Sequence, residues 1–86
     1  MSILQLETEP LAIDVAVTGT AIVVSLDDGR ELSVPVEWFP RLRDATASER
    51  ANWRLIGRGE GIHWPESDED ISTRGLLAGH RQSRAA

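Results

Sequence analysis

The run Ala21-Ile22-Val23-Val24-Ser25-Leu26, closed by Asp27-Asp28-Gly29, constrains the fold of this chain more than any other stretch. β-Branched side chains pack well on a pleated surface and lose rotamer freedom in a helix, so the run reads as a strand. The Asp-Asp-Gly after it reads as a hairpin turn, because glycine takes the positive φ that a tight β connection needs. Arg30 to Val34 then returns antiparallel with Leu32 and Val34 facing in, until Pro35, which has no amide to donate to a ladder, ends the strand. The first run is apolar on both faces through Ile22, Val23 and Val24, which suits a central strand covered on one side by helices. Before it, Leu11, Ile13, Val15 and Val17 alternate with Ala12, Asp14, Ala16 and Thr18, the period-two pattern of a half-buried strand, and Gly19 supplies the turn between the two.

Beyond Pro35 the pattern changes. Val36 to Trp38 reads as a turn, and Pro40 suits the first turn of a short helix in which Phe39, Leu42 and Arg43 fall at helical intervals. Thr46-Ala47-Ser48-Glu49 has the spacing of a capping box, in which hydroxyl and carboxylate satisfy each other's free backbone amides, so a helix of one or two turns is expected over Ala47 to Asn52. Trp53 to Ile56 returns to β-type residues, Arg58 to Gly61 forms a glycine-rich bend, and Gly61 to Trp64 pairs back before Pro65 stops it. Ser67 to Asp70 then forms an acidic turn. Either Asp70 or Ser72 caps a final helix running through Leu77, with Gly79 placed to end it in a left-handed conformation. The expectation is an α+β fold: a small antiparallel meander sheet of about five strands covered by two or three short helices. The single domain spans residues 11–79, residues 1–10 are an arm or edge strand, and residues 80–86 are a flexible tail.

Composition narrows the class. At 86 residues the chain suits one domain with one core, burying roughly three-fifths of the surface of its unfolded form. It has no cysteine, which removes disulfides and thiolate chemistry together. With no basic, apolar leader and no stretch near the ~20 apolar residues of a membrane span, the expected setting is the cytoplasm. A net charge of −5 argues against binding nucleic acid by neutralising phosphates. The charge also falls in blocks: residues 1–29 carry five acids and no base, residues 30–59 six arginines against four acids, and residues 60–70 five acids.

The most distinctive stretch is Gly59 to Ser72, which holds two glycines close together, a half-apolar run, a proline stop and an acidic cluster. In its strand, Ile62 and Trp64 share a face and His63 points to the other. His63 with Glu66, Asp68 and Asp70 does not make a metal site. The spacing is wrong for a calcium loop, and zinc would need nitrogen ligands beyond His63, the only other histidine being His80. No serine stands at a spacing that recruits either histidine for nucleophilic catalysis. Gly57-Arg58-Gly59-Glu60-Gly61 lacks the lysine and long helix of a phosphate loop and reads as a turn. Neither a catalytic residue nor a cofactor is implied. Of the three tryptophans, Trp64 is assigned to the core, whereas Trp38 suits either core or interface. Arg41, Arg43, Arg50, Arg54 and Arg58, interleaved with acids, read as a salt-bridged surface.

Several segments in order (Asp28-Gly29, Trp38-Phe39-Pro40-Arg41-Leu42, Ala45-Thr46, Asn52-Trp53, Gly61-Ile62-His63-Trp64-Pro65, Asp68-Glu69-Asp70-Ile71-Ser72 and Gly75-Leu76-Leu77-Ala78-Gly79) resemble the bacterial family known as domain of unknown function twenty-four forty-two. The likeness covers residues 11–79, and the Ile-His-Trp-Pro run followed by Asp-Glu-Asp-Ile-Ser is its most specific part; Ser67 departs from the apolar residue usual there. The resemblance implies a small α+β fold and carries no established activity or catalytic residue. It further implies stand-alone proteins, often encoded beside a second small protein in pairs resembling toxin and antitoxin, or domains fused to a helix-turn-helix.

Together these readings point to a non-enzymatic cytoplasmic interaction protein, the antitoxin-like partner of a small basic protein encoded by the adjacent gene. The partner-binding candidates are Trp38, Arg41, His63, Glu66, Asp68, Glu69 and Asp70. The runner-up is a nucleic-acid-associated transcriptional regulator acting through Arg41 to Arg58. A membrane role is not expected, and self-association through the strand edge at residues 11–18 is the other arrangement the pattern allows.

Overall fold

A computed structural model describes residues 9–80. The expected arm and tail lie outside these residues, apart from Glu9, Pro10 and His80. Six strands and three helices follow in the order β1 (Ala12–Val17), β2 (Ala21–Leu26), β3 (Glu31–Pro35), α1 (Pro40–Arg43), α2 (Ala47–Ala51), β4 (Arg54–Ile56), β5 (Gly61–Trp64), β6 (Glu69–Ser72) and α3 (Thr73–Leu77), with a 3-10 turn at Val36–Trp38 before α1.

The α+β class is as expected, but the strands do not form one meander. They make two separate antiparallel sheets of three strands, ordered β1-β2-β3 and β4-β5-β6. After Pro35 the 3-10 turn, α1 and α2 carry the chain away from the β3 edge. The later strands then find partners only among themselves. The sixth strand is Glu69–Ser72, where an acidic turn and helix start were expected. Pairing sets Ile71 opposite Ile62 and Glu69 opposite Trp64, so this segment completes the inner face of the second sheet. Asp70 therefore caps nothing, and Ser72 alone caps α3, its hydroxyl accepting from the Gly75 amide at 2.8 Å.

The inner faces of both sheets feed one core. Val15, Ile22, Val24, Leu26 and Val34 from the first sheet meet Ile62, Trp64 and Ile71 from the second, with Val36, Phe39, Leu42 and Leu76 filling the space between them. The elements around this core end as their sequences dictate. Gly29 closes the β2–β3 hairpin at φ 95°, Pro40 occupies the first turn of α1, both hydrogen bonds of the Thr46–Glu49 capping box are made, and Gly79 follows α3 at φ 82°. The Arg50 guanidinium donates to the Leu42 and Arg43 carbonyls at 2.9 and 2.7 Å, satisfying free carbonyls at the end of α1.

In β1 the alternation does not run through. Ala12 pairs with Leu26 and Asp14 with Ser25, so Ile13 is an extra residue in a bulge. The bulge inverts the facing of the strand: Ala12 is buried before it, Val15 after it, and Ile13 stands 57% exposed instead of pointing inward. The reason lies at Ala12, whose amide donates to the Gly59 carbonyl at 2.9 Å. Thr73 donates its hydroxyl to the same carbonyl at 2.7 Å and its amide to the Glu60 carbonyl at 2.9 Å. Strand β1, the β4–β5 turn and the start of α3 are thereby joined at one buried point.

Gly59 has φ 112°, and a Cβ built there would stand 2.3 Å from the Ala12 carbonyl oxygen. Gly29 has a similar φ but open space around the same atom. Gly59→Ala is expected to cost at least about 3 kcal/mol, combining left-handed strain with a backbone clash, and so to lower Tm by about 12 °C or more. Gly29→Ala carries the strain alone and should cost about 1 kcal/mol. Thermal melts of the two variants side by side check this, and equal losses would show that the crossing at Gly59 is not tightly packed.

Candidate functional site

The β5–β6 hairpin holds most of the candidate residues, and its register decides which of them meet. His63 lies opposite Asp70, and Trp64 opposite Glu69. Opposed residues of an antiparallel pair share a face, so the hairpin has two chemically distinct sides. Outward, Arg54, His63 and Asp70 form one cross-strand row, and Ile56, Gly61 and Ser72 form the next. Inward, Trp64 is fully buried with its indole N–H donating to the Arg50 carbonyl at 3.0 Å, and Glu69 is 2% exposed beside it. Trp64 is thus the core residue expected. Glu69, taken from the sequence as a surface candidate, lies inside.

At the tip of the hairpin, residues 65–68 connect the strands, and Asp68 adopts φ 52°. Aspartate tolerates this left-handed region better than most side chains. The Arg41 guanidinium, reaching from α1, donates to the Asp68 carbonyl at 2.7 Å and ties the tip to the helix. Asn52 donates to the Glu66 carboxylate at 3.2 Å from the end of α2. Glu66, Asp68 and Asp70 remain exposed. Trp38 is half-buried and packs against the core, so it is not a ring standing free at a rim.

His63 Nδ1 and Asp70 Oδ1 are hydrogen-bonded at 2.5 Å. An imidazole held by a carboxylate is the base and orienting group of a nucleophilic relay, which also needs a hydroxyl or thiol on the imidazole. Ser72 shares the outer face and accepts from the Gly75 amide, but among the described residues no hydroxyl is hydrogen-bonded to the His63 ring. The His63–Asp70 pair stands on an open sheet face, and Asp68 does not join it. Among the described residues no three histidine, aspartate or glutamate side chains gather as metal ligands, and no helix is long and apolar enough to cross a membrane.

Three of the five arginines between Arg41 and Arg58 have intramolecular tasks. Arg41 and Arg50 hold carbonyls, and Arg43 pairs with Asp44 at 2.9 Å. Hydrogen bonds from Arg43 hold the Asp44 carboxyl below the ordinary aspartate value, as Arg30 does for Asp28. Arg54 and Arg58 have exposed side chains. Two contributors escaped the sequence reading. Arg50 resembles any other exposed arginine in the string, and Gly59 resembles any other turn glycine, because their partners, Leu42 and Ala12, are set by tertiary structure.

Residues 12–82 match the family described as a protein of unknown function, DUF2442. The chain belongs to this family. Its fold is similar to that of a protein of unknown function from Rhodospirillum rubrum, known from a crystal structure, at 28% identity and a TM-score of 0.76, covering 91% of this chain and 96% of that one. It is also similar to the solution structure of an uncharacterized protein from Chromobacterium violaceum, at 28% identity and a TM-score of 0.73, covering 95% of this chain and 76% of that one. None of the curated proteins matches. The run Ile62-His63-Trp64-Pro65 lies within the matched residues: its isoleucine and tryptophan form the inner face of the second sheet, its histidine joins the outer row, and its proline opens the tip.

Asp68→Gly relieves the left-handed strain at the tip and is expected to be neutral to about 1 kcal/mol stabilising, whereas Asp68→Val should cost about 1–2 kcal/mol. Urea denaturation of both variants tests this; a large loss in Asp68→Gly would show that the carboxylate itself holds the tip.

Proposed function

We propose that this DUF2442 protein is a non-catalytic cytoplasmic binding module, the antitoxin-like partner of a small basic protein. The observation that carries the reading is the exposed acidic edge of the β5–β6 hairpin. Glu66 and Asp68 lie on the tip, which Arg41 and Asn52 fasten, and Asp70 stands beside it on the outer face of β6. The Glu66 carboxylate is held by Asn52 and that of Asp70 by His63, so these two lose little freedom on binding, and charges of one sign accelerate encounter with a partner of the other. The commitment of Arg41, Arg43 and Arg50 within the chain leaves the nucleic-acid reading with fewer cations to offer phosphate.

The test is co-expression with the product of the neighbouring gene, followed by titration calorimetry. A complex of micromolar affinity or better is expected, weakening as salt rises from about 50 to 500 mM. The triple substitution Glu66→Gln, Asp68→Asn, Asp70→Asn should weaken it by about tenfold or more without unfolding the chain, since asparagine also tolerates the left-handed position. No complex at micromolar concentration, or one indifferent to salt and to these changes, would refute the proposal.

A further inference from the structure

The outer face of the second sheet carries an open hollow of about 290 Å³, lined by Ile56, Glu60, Gly61, Asp70, Ile71 and Ser72. Its surface is mainly apolar. Ile56 stands 42% exposed there with its side chain over Gly61, where an added Cβ would meet Ile56 Cδ1 at 3.2 Å. The two acids of the lining are engaged elsewhere: Glu60 accepts from the Arg58 amide at 3.0 Å, and Asp70 is bonded to His63. What remains is aliphatic surface that an apolar cover would remove from water.

The chain itself brings a cover to the rim. Ile56, Gly61 and Ser72 form the cross-strand row next to the β4–β5 turn, and residues 9–12 run past that end of the sheet. The Ala12 amide donates to the Gly59 carbonyl at 2.9 Å, and Glu9 pairs with Arg74, in the first turn after Ser72, at 3.4 Å. Residues 1–8 lie outside the described residues and lead into this point with the sequence Ile3-Leu4-Gln5-Leu6-Glu7-Thr8. Leu6 comes three residues before Glu9, about 10 Å of extended chain, and Leu4 about 17 Å before it. In an extended segment Leu4 and Leu6 share one side, and Gln5 and Glu7 the other.

We propose that this N-terminal arm folds back over the outer face of the second sheet and sets Leu6 against Ile56 in the hollow, with Leu4 beside it and Gln5 and Glu7 toward water. The place where the chain enters, at the rim beside Ser72, identifies the occupant, and the match of aliphatic side chain to aliphatic lining supports it. A hollow whose acids are already engaged suits a leucine better than a cation. The proposal does not depend on which partner the acidic hairpin meets.

The 86-residue chain with isotope-labelled methyl groups is followed by NMR. Nuclear Overhauser contacts from the Leu6 methyls to the Ile56 methyls and the Gly61 α-protons are expected within one molecule. Leu6→Ser should shift the amide signals of Ile56, Gly61, Ile71 and Ser72 and lower Tm by about 4 °C or more, the scale for uncovering a partly buried leucine in a domain of this size. In an Ile56→Ser background the same change should cost less than half as much, because its contact is already gone. Leu6 contacts confined to other surfaces, full additivity of the two substitutions, or a Leu6→Ser variant that matches wild type in spectrum and Tm overturn the assignment. Contacts that appear only between labelled and unlabelled copies in a mixed sample overturn it in favour of arms exchanged within a dimer.

Discussion

The structure depends on one crossing, where the Gly59 carbonyl accepts hydrogen bonds from the Ala12 amide and the Thr73 hydroxyl. A buried carbonyl needs partners, and here both come from outside its own sheet: one from the first sheet, the other from the last helix. Two sheets that share no ladder meet through one apolar core, and apolar packing by itself lacks direction. The crossing sets the approach of β1 to the β4–β5 turn, and that approach leaves no room for a side chain at Gly59. The bulge in β1 serves the same point, since it lets Ala12 face the crossing while Val15 faces the core.

The hairpin that carries the candidate site is built by separating chemistry between two faces. Ile62, Trp64 and Ile71 fill the core from one side, and Arg54, His63 and Asp70 line the other. This arrangement explains why the same short motif looks structural and functional at once: alternate residues answer to different surroundings. Glu69 marks where that division is not simple, being an acid on the apolar side.

Much of the fold was legible because its signals are local. The Asp27-Asp28-Gly29 turn, the Pro40 helix start, the Thr46–Glu49 box and the glycine after the last helix each depend on a few neighbouring residues, and each is found where the residues place it. What escaped the sequence depends on distant partners. Glu69 to Ser72 looks like a helix start until the free edge of β5 is known to be available, and Ile13 continues a clean alternation until Ala12 is drawn to Gly59. The candidate site was legible in part for the same reason. The opposition of His63 and Asp70 follows from a hairpin register, which required knowing that the acidic stretch is a strand.

The bulge at Ile13 also bears on how copies of this chain meet one another. Among the described residues strand β1 is the margin of its sheet, and a straight, apolar margin offers an unbroken row of amides and carbonyls onto which another molecule can zip. A residue of surplus length in that margin breaks the spacing, so an incoming strand in register on one side of Ile13 is out of register on the other. The displaced isoleucine thus interrupts the row of amides and carbonyls that a neighbouring strand could extend.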